Sequence, residues 1–363
     1  MQYSDSETQQ LLRNTTRSFL AAEYPPERLY AIESGDAPLA DAELEKLADM
    51  GWLGLLAPEA AGGGGVSLLD AAVVIEEFGY AAVPAPVTVN NIAADLLARA
   101  TPSADIDGRL ADIASGKQLY TISESSRRGA STLSTAGGTL SGTLPLVPFS
   151  EIAAHVLAPL SIDGQPAFAA VPLEDTRLEP ARLLDRTAYA NVHIENIPLD
   201  RATILATGDE ALDLHDRCDA LVTALSLIEV AGMMQRTLEM TSEYITQRVQ
   251  FGQPIAKFQA ARHRAADLLM QTETTRWAAY HALWRFQEDP NDTEEIWLAK
   301  HWAVRAADRV YQVSHLLHGG VGVDIEYPLH LYTQGIAAFA VRGGGMDEMV
   351  ERTLDRLSLG AGR

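Results

Sequence analysis

The sequence predicts a mainly α-helical protein in which a small β domain separates an N-terminal helical domain from a C-terminal helical bundle. Three observations predict it. Apolar residues recur at helical spacing up to about Ala100, short β-type runs take over from about Lys117 to Ile204, and long proline-free helical segments follow from about Ala211. The expected boundaries are 1–116, 117–205 and 206–363. A length of 363 residues suits two or three domains with a sizeable core.

In "DAELEKLADMGWLGLL", Leu44, Leu47, Met50 and Trp52 fall close to one face, and Gly51 breaks the run. The four glycines at 62–65 read as a plain loop, because no Lys-Ser/Thr follows them as a phosphate-binding P-loop requires. A helix is expected from about Ser67, stopping at Gly79 and the prolines beyond. In the middle region, "LYTISES", "STLSTAGGTLSGTLPLV" and "YANVHIENIPL" are Thr/Val/Ile-bearing runs cut by Gly, Pro, Asp and Asn. Tyr189, Val192 and Ile194 stand among polar neighbours in near alternation, as in half-buried strands joined by hairpins. Three long helical segments then follow with short turns, which read as a bundle.

Composition excludes several roles. The net charge is −21 and the sequence pI ≈ 4.7, which disfavours nucleic acid and membrane surfaces as partners. The single cysteine, Cys218, cannot form an internal disulfide, and the first 20 residues lack the basic start and apolar core of a signal peptide. No apolar run long enough to span a bilayer is read from the sequence. A cytoplasmic location is expected.

One segment contradicts the overall acidity. Residues 248–266, "RVQFGQPIAKFQAARHRAA", hold four Lys/Arg and no Asp or Glu. Arg is the side chain whose planar fork pairs two phosphate oxygens. Gly252 and Pro254 set a tight turn, and a helix beginning near Pro254 would offer an anion its free N–H groups. Arg262, His263 and Arg264 read as a solvated helix face.

These features, in order, resemble the acyl-CoA dehydrogenases. "GWLGLLAPEAAGGGGVSLLDAAVVIEEFG" is similar to the family's N-terminal Gly-Trp, Pro-Glu, Gly-Gly and acidic-pair pattern, and "LLDRTAYANVHIENIPL" resembles the strand that closes its β domain. "RVQFGQPIAKFQ" with "HRAADL" resembles its Arg-x-x-Phe-Gly-x-x-Ile and Phe-Gln signature. "HLLHGGVGVDIEYPLHLY" is similar to its late Gly-Gly-x-Gly and Glu-Tyr-Pro motif. The resemblance implies a β-barrel or sandwich middle domain, a C-terminal four-helix bundle, FAD as cofactor, an acyl-CoA substrate desaturated at its α,β bond, an electron-accepting flavoprotein and a tetrameric assembly.

Carried over residue by residue, it implies that Arg248 and Gln259 reach FAD held mainly by a neighbouring subunit. It places Phe251 against the adenine or the turn. Gly319 and Gly320 let backbone approach a phosphate or adenine, and His318 packs or donates beside the cofactor. His315 and His318 lie three apart, but nothing completes a metal site.

Departures matter as much. The usual base position holds Gly343, with Glu348 shifted by more than a turn; Glu229 is the best substitute base, and pairing with a neighbouring helix is its alternative role. Where family members carry a Thr-Glu-Pro-Gly flavin loop, this chain has "ISESSRRGAS", leaving Ser123 as the flavin contact. Leu316 replaces an amide that reaches the cofactor. Such losses resemble the smaller partner of two-gene, heterotetrameric acyl-CoA dehydrogenases of steroid side-chain degradation; a homotetramer is the other arrangement. The alternatives are a non-catalytic FAD-clamping subunit and a flavin oxidase or monooxygenase on the same fold. Trp277, Tyr280, Trp284, Trp297 and Trp302 read as core, with the lining of a wide pocket as the alternative.

Overall fold

The computed structural model of the chain describes residues 4–35, 38–123 and 132–342. It contains ten α-helices and ten strands among those residues. By packing, the chain divides into two compact units: 1–36 with 72–84 and 223–363, and 37–71 with 85–222. The helices at 68–81 and 209–247 each contribute to both.

The unit built on 37–71 and 85–222 carries an eight-stranded sheet. Its strands are β1 (Tyr120–Ile122), β2 (Leu133–Ala136), β3 (Thr139–Pro148), β4 (His155–Ile162), β5 (Gln165–Pro172), β6 (Arg177–Arg182), β7 (Ala188–Pro198) and β8 (Thr203–Thr207). The order is β6-β7-β3-β2-β4-β5-β8, with β1 added parallel to β4. Asp163 and Gly164 both have positive φ between β4 and β5, which is the hairpin geometry an Asp-Gly turn favours. The near alternation read in "YANVHIEN" is realised: Tyr189, Val192 and Ile194 are buried, and Val192 and Ile194 pack with Leu140, Leu144, Leu160 and Val171 in one core. Helices α3 (Asp41–Asp49), α5 (Val87–Leu97) and α6 (Ala104–Ala114) complete this unit. Gly51 ends the α3 region at φ 75, a left-handed conformation. Asn90 ties α5 to β1 by accepting from the Tyr120 amide at 2.8 Å.

The other unit is helical. Helix α1 (Glu7–Glu23) starts with a reciprocal cap, in which the Ser6 hydroxyl accepts from the Gln9 amide and the Gln9 side chain accepts from the Ser6 amide. It is followed by α2 (Pro26–Ser34), the main part of α4 (Leu68–Ala81), and the C-terminal part of α7 (Asp209–Gln247). Helices α8 (Gln259–Glu288), α9 (Glu294–His318) and α10 (Leu329–Val341) finish the bundle, so α10 is a fourth helix beyond the three long segments legible in the sequence. The buried Lys300 of α9 donates to the Phe339 and Arg342 carbonyls at 2.8 and 3.0 Å, setting a positive charge on the negative end of α10.

Two expectations need correction. Helix α4 runs through Gly79 to Ala81 instead of stopping there. The helix after the Phe-Gly turn begins at Gln259, not near Pro254, because a two-stranded hairpin, β9 (Val249–Gln250) and β10 (Gln253–Pro254), and a 3-10 turn at Ile255–Lys257 intervene. Helix α7 is long and apolar enough by composition to cross a bilayer, with an 18-residue window of mean hydropathy 1.3. That window is 67% buried, the signature of a helix packed inside a protein core.

Candidate functional site

Helices α4 and α7 meet backbone to backbone, and glycines make this possible. A Cβ on Gly79 would lie 1.9 Å from the Glu229 carbonyl oxygen, and one on Gly232 would lie 2.1 Å from the Glu76 carbonyl oxygen. Each helix therefore supplies a glycine to the other's backbone. Gly335 of α10 meets the same stretch, with its Cβ position 2.6 Å from the Met233 sulfur. Half-buried Glu229 thus sits on a turn of α7 that packs directly against the α4 backbone.

Next to this crossing lies a buried charge junction that sequence reading did not find. The Glu76 carboxylate receives Arg276 of α8 in a bidentate pair, the Tyr280 hydroxyl at 2.8 Å and Arg13 of α1 at 2.7 Å. Glu77 takes Arg13 at 2.7 Å and Arg17 at 2.6 Å. Burial alone would raise the Glu76 pKa, but hydrogen bonds and charge from Arg276, charge from Arg13 and the Tyr280 hydroxyl outweigh it and hold the carboxyl below 4.5. An ionised, Arg-saturated carboxylate is not a poised proton acceptor, so Glu76 is structural. The acidic pair "EE" was visible in the sequence. Its partners, 60 to 204 residues away, were not.

The basic segment becomes a projecting hairpin. Phe251 is 94% exposed and adopts φ 51. It touches only Phe258 edge-on among the described aromatics, at 6.2 Å between centroids. Arg248 and Gln259 are exposed at either end of the segment. Arg262, His263 and Arg264 lie on the exposed side of α8, as a solvated face requires.

The late glycines form a corner at the C-terminus of α9. Gly319 has φ 60 and ψ −135, a conformation reserved for glycine, and a side chain at Gly319 or Gly320 would enter open space. Their bareness is therefore not explained by crowding among the described residues. His318 is buried, stacked on Tyr244 at 4.6 Å, with Nδ1 2.8 Å from the Ser314 carbonyl and Nε2 3.1 Å from the Tyr327 hydroxyl. Burial lowers its pKa against the opposing effect of the Ser314 carbonyl. The ring is then neutral, Nδ1 donates to the carbonyl, and Nε2 accepts from Tyr327. No donor remains to point outward, so His318 packs the corner. His315 shares a hydrogen bond with Thr333 at 3.0 Å instead of approaching His318 through a shared ligand.

In the sheet unit, Ser123 is buried and its amide donates to the Leu157 carbonyl at 2.9 Å, which fixes its backbone at the end of β1. The remainder of that loop, Glu124 included, and the positions Gly343 and Glu348 lie outside the described residues. Of the aromatic set, Trp297 and Tyr280 are core, Trp277 and Trp284 are half-buried, and Trp302 is exposed on α9.

This architecture defines a helical–sheet–helical protein of one family. Residues 6–117 match the acyl-CoA dehydrogenase N-terminal domain and residues 223–358 match the acyl-CoA dehydrogenase C-terminal domain. The acyl-CoA dehydrogenase FadE27 of Mycobacterium tuberculosis is 30% identical over 92% of this chain and 92% of its own length. The ChsE4–ChsE5 complex from Mycobacterium tuberculosis superimposes with a TM-score of 0.89 at 25% identity, covering 99% of each chain. A variant of the Tcur3481–Tcur3483 steroid ACAD gives 0.88 at 26% identity, covering 98% of this chain and 99% of that one. The chain belongs to the acyl-CoA dehydrogenase family of oxidoreductases.

Proposed function

We propose that this chain is one subunit of a two-chain, FAD-dependent enzyme that introduces an α,β double bond into a bulky acyl-CoA of the steroid side-chain type. The observation that carries the reading is the projecting hairpin. Arg248, Phe251 and Gln259 present a cation, an aromatic face and an amide to solvent, and Phe251 does so in a strained conformation. Strain and exposure together are characteristic of groups that meet something outside their own chain. The bare backbone at Gly320 agrees, since no described residue comes within 4 Å of its Cβ position.

These residues fit a dinucleotide. Arg248 would pair the pyrophosphate oxygens, Phe251 would cover the adenine, Gln259 would bond a polar edge, and the Gly319–Gly320 backbone would approach closely. Ser123, at the end of β1 in the sheet unit, is proposed separately as a flavin contact. When bound, FAD accepts the β-hydrogen of the acyl chain as hydride. The substrate's α-proton must go to a carboxylate, and Glu229, held by the α4–α7 crossing, is the candidate in this chain. Assembly with an unlike subunit is supported by the paired chains of the ChsE4–ChsE5 and Tcur3481–Tcur3483 structures. An electron-accepting flavoprotein is the partner that would take the electrons onward.

A second reading, a non-catalytic subunit that only clamps FAD, has one observation in its favour: the buried Glu76 is committed to arginines. Purification of the chain by itself, with flavin absorbance and acyl-CoA oxidation by an artificial acceptor, separates the readings. A colourless chain that becomes active only with a second subunit supports the proposal. Stoichiometric FAD and full activity in the lone chain would falsify the two-chain part.

A further inference from the structure

Four buried polar atoms near the Glu76 junction make no hydrogen bond to any described residue: Arg13 Nη2 and the hydroxyls of Thr16, Thr272 and Thr275. The three threonines are at most 1% exposed. Thr16 lies one turn beyond Arg13 on α1, and Thr272 lies one turn before Arg276 on α8. Arg13 and Arg276 both bind the Glu76 carboxylate, which brings the two turns to the same junction. Thr275 differs. At 3.6 residues per turn, Thr272 stands roughly 40° round α8 from Arg276 and Thr275 about 100°.

A threonine inside a helix commonly satisfies its hydroxyl on the carbonyl four residues back. Thr237 and Thr241 of α7 do so at 2.9 and 2.7 Å, and Thr333 of α10 does so at 3.2 Å. Thr16 and Thr272 are just as buried and do not. A buried polar atom is costly without a partner, so these groups call for one.

Charge and bonding capacity decide its chemistry. Asp5, Glu76 and Glu77 supply three negative charges, and Arg13, Arg17 and Arg276 supply three positive ones. Tyr280 stays neutral, because burial lifts its pKa well above 10. The junction is balanced, and a bound ion would bring a buried charge that nothing offsets. Arg13 Nη2 can only donate, whereas a hydroxyl both donates and accepts. The ligand must therefore be neutral, small, and able to do both. An internal water makes about three hydrogen bonds, which matches the three groups at this place.

We infer that the α1–α8 side of the Glu76 junction is an internal hydration site, where a water accepts from Arg13 Nη2 and bonds the hydroxyls of Thr16 and Thr272. All its residues belong to the helical unit, so the site does not depend on the two-chain reading.

Valine has the shape of threonine without the hydroxyl, which gives the test its sign. In the full chain, Thr16→Val and Thr272→Val should each lower the thermal midpoint by about 2 °C, since each leaves the water short of a bond. The double variant should lose less than the sum, because both hydroxyls serve one water. Thr275→Val, outside the site, should leave the midpoint unchanged or raise it. An unchanged or raised midpoint in Thr16→Val or Thr272→Val overturns the inference, and so do strictly additive losses. Circular dichroism confirms that each variant folds. A wild-type crystal that orders solvent should show a water within about 3 Å of Arg13 Nη2 and both hydroxyls. An ion or a protein side chain at that place would overturn the inference even if a variant failed to fold.

Discussion

Phe251 combines two unfavourable features in one residue. Its φ of 51 puts a β-carbon in the left-handed region at roughly 1–2 kcal/mol, and 94% exposure forgoes the 1.5–3 kcal/mol or so that burying a Phe supplies. Asn tolerates that conformation, so Phe251→Asn should leave urea stability unchanged or raise it by up to about 1 kcal/mol while FAD retention by the assembled enzyme falls. A loss of stability would show instead that Phe251 belongs to the fold. Arg248→Ala should weaken FAD binding about tenfold or more through loss of a charge-assisted pair, and leave thermal stability untouched. Glu76 gives a pH prediction. Its folded pKa lies below 4.5, so its contribution is present above the unfolded carboxyl's range and is lost as pH falls through the folded value. Urea midpoints should therefore drop on acidification, and Glu76→Gln should flatten that limb at a cost of about 3–5 kcal/mol at neutral pH, because Arg276 and Arg13 are left buried without their counter-charge. A steep acid limb retained in Glu76→Gln would rule this out.

Between elements, the α4–α7 crossing is the contact with least tolerance. Gly79→Ala forces a methyl into the Glu229 carbonyl and must separate the helices, costing about 3 kcal/mol or more by denaturant unfolding. Gly108 in α6 is the control. Nothing lies within 4 Å of its Cβ position, so Gly108→Ala should be neutral or stabilise by up to about 1 kcal/mol. Equal effects at the two glycines would mean that helix propensity, not close approach, explains Gly79. This element also shows why sequence reading ended α4 early. A glycine that terminates a helix and one that admits a neighbouring backbone look identical in one dimension. The hairpin at 249–254 was missed for a similar reason, since two-residue strands carry no periodicity and Pro254 also suits a helix start.

For the whole molecule, the net charge of −21 has a consequence for folding. Self-repulsion destabilises the compact chain, so moderate salt should raise the thermal midpoint of the lone protein. A salt titration of the melting midpoint checks the sign; salt that lowered the midpoint would contradict this account.

The order of helices, sheet and helices was legible because burial writes a period of 3.6 or 2 into the chain, as at Leu44 and Leu47 or Val192 and Ile194. The Arg248–Gln259 segment was legible because an acid-free run is anomalous in so acidic a protein. Tertiary structure alone decided the rest. Arg13, Glu76 and Arg276 come from three helices far apart in sequence, and a buried ion pair leaves no mark on local spacing. His318 was readable as packing or donating beside the cofactor, and only the fold shows the Ser314 carbonyl and the Tyr327 hydroxyl at its two nitrogens. Hydrogen-bond capacity is spent on whichever partner folding brings within about 3 Å, and only the folded chain shows which partner that is.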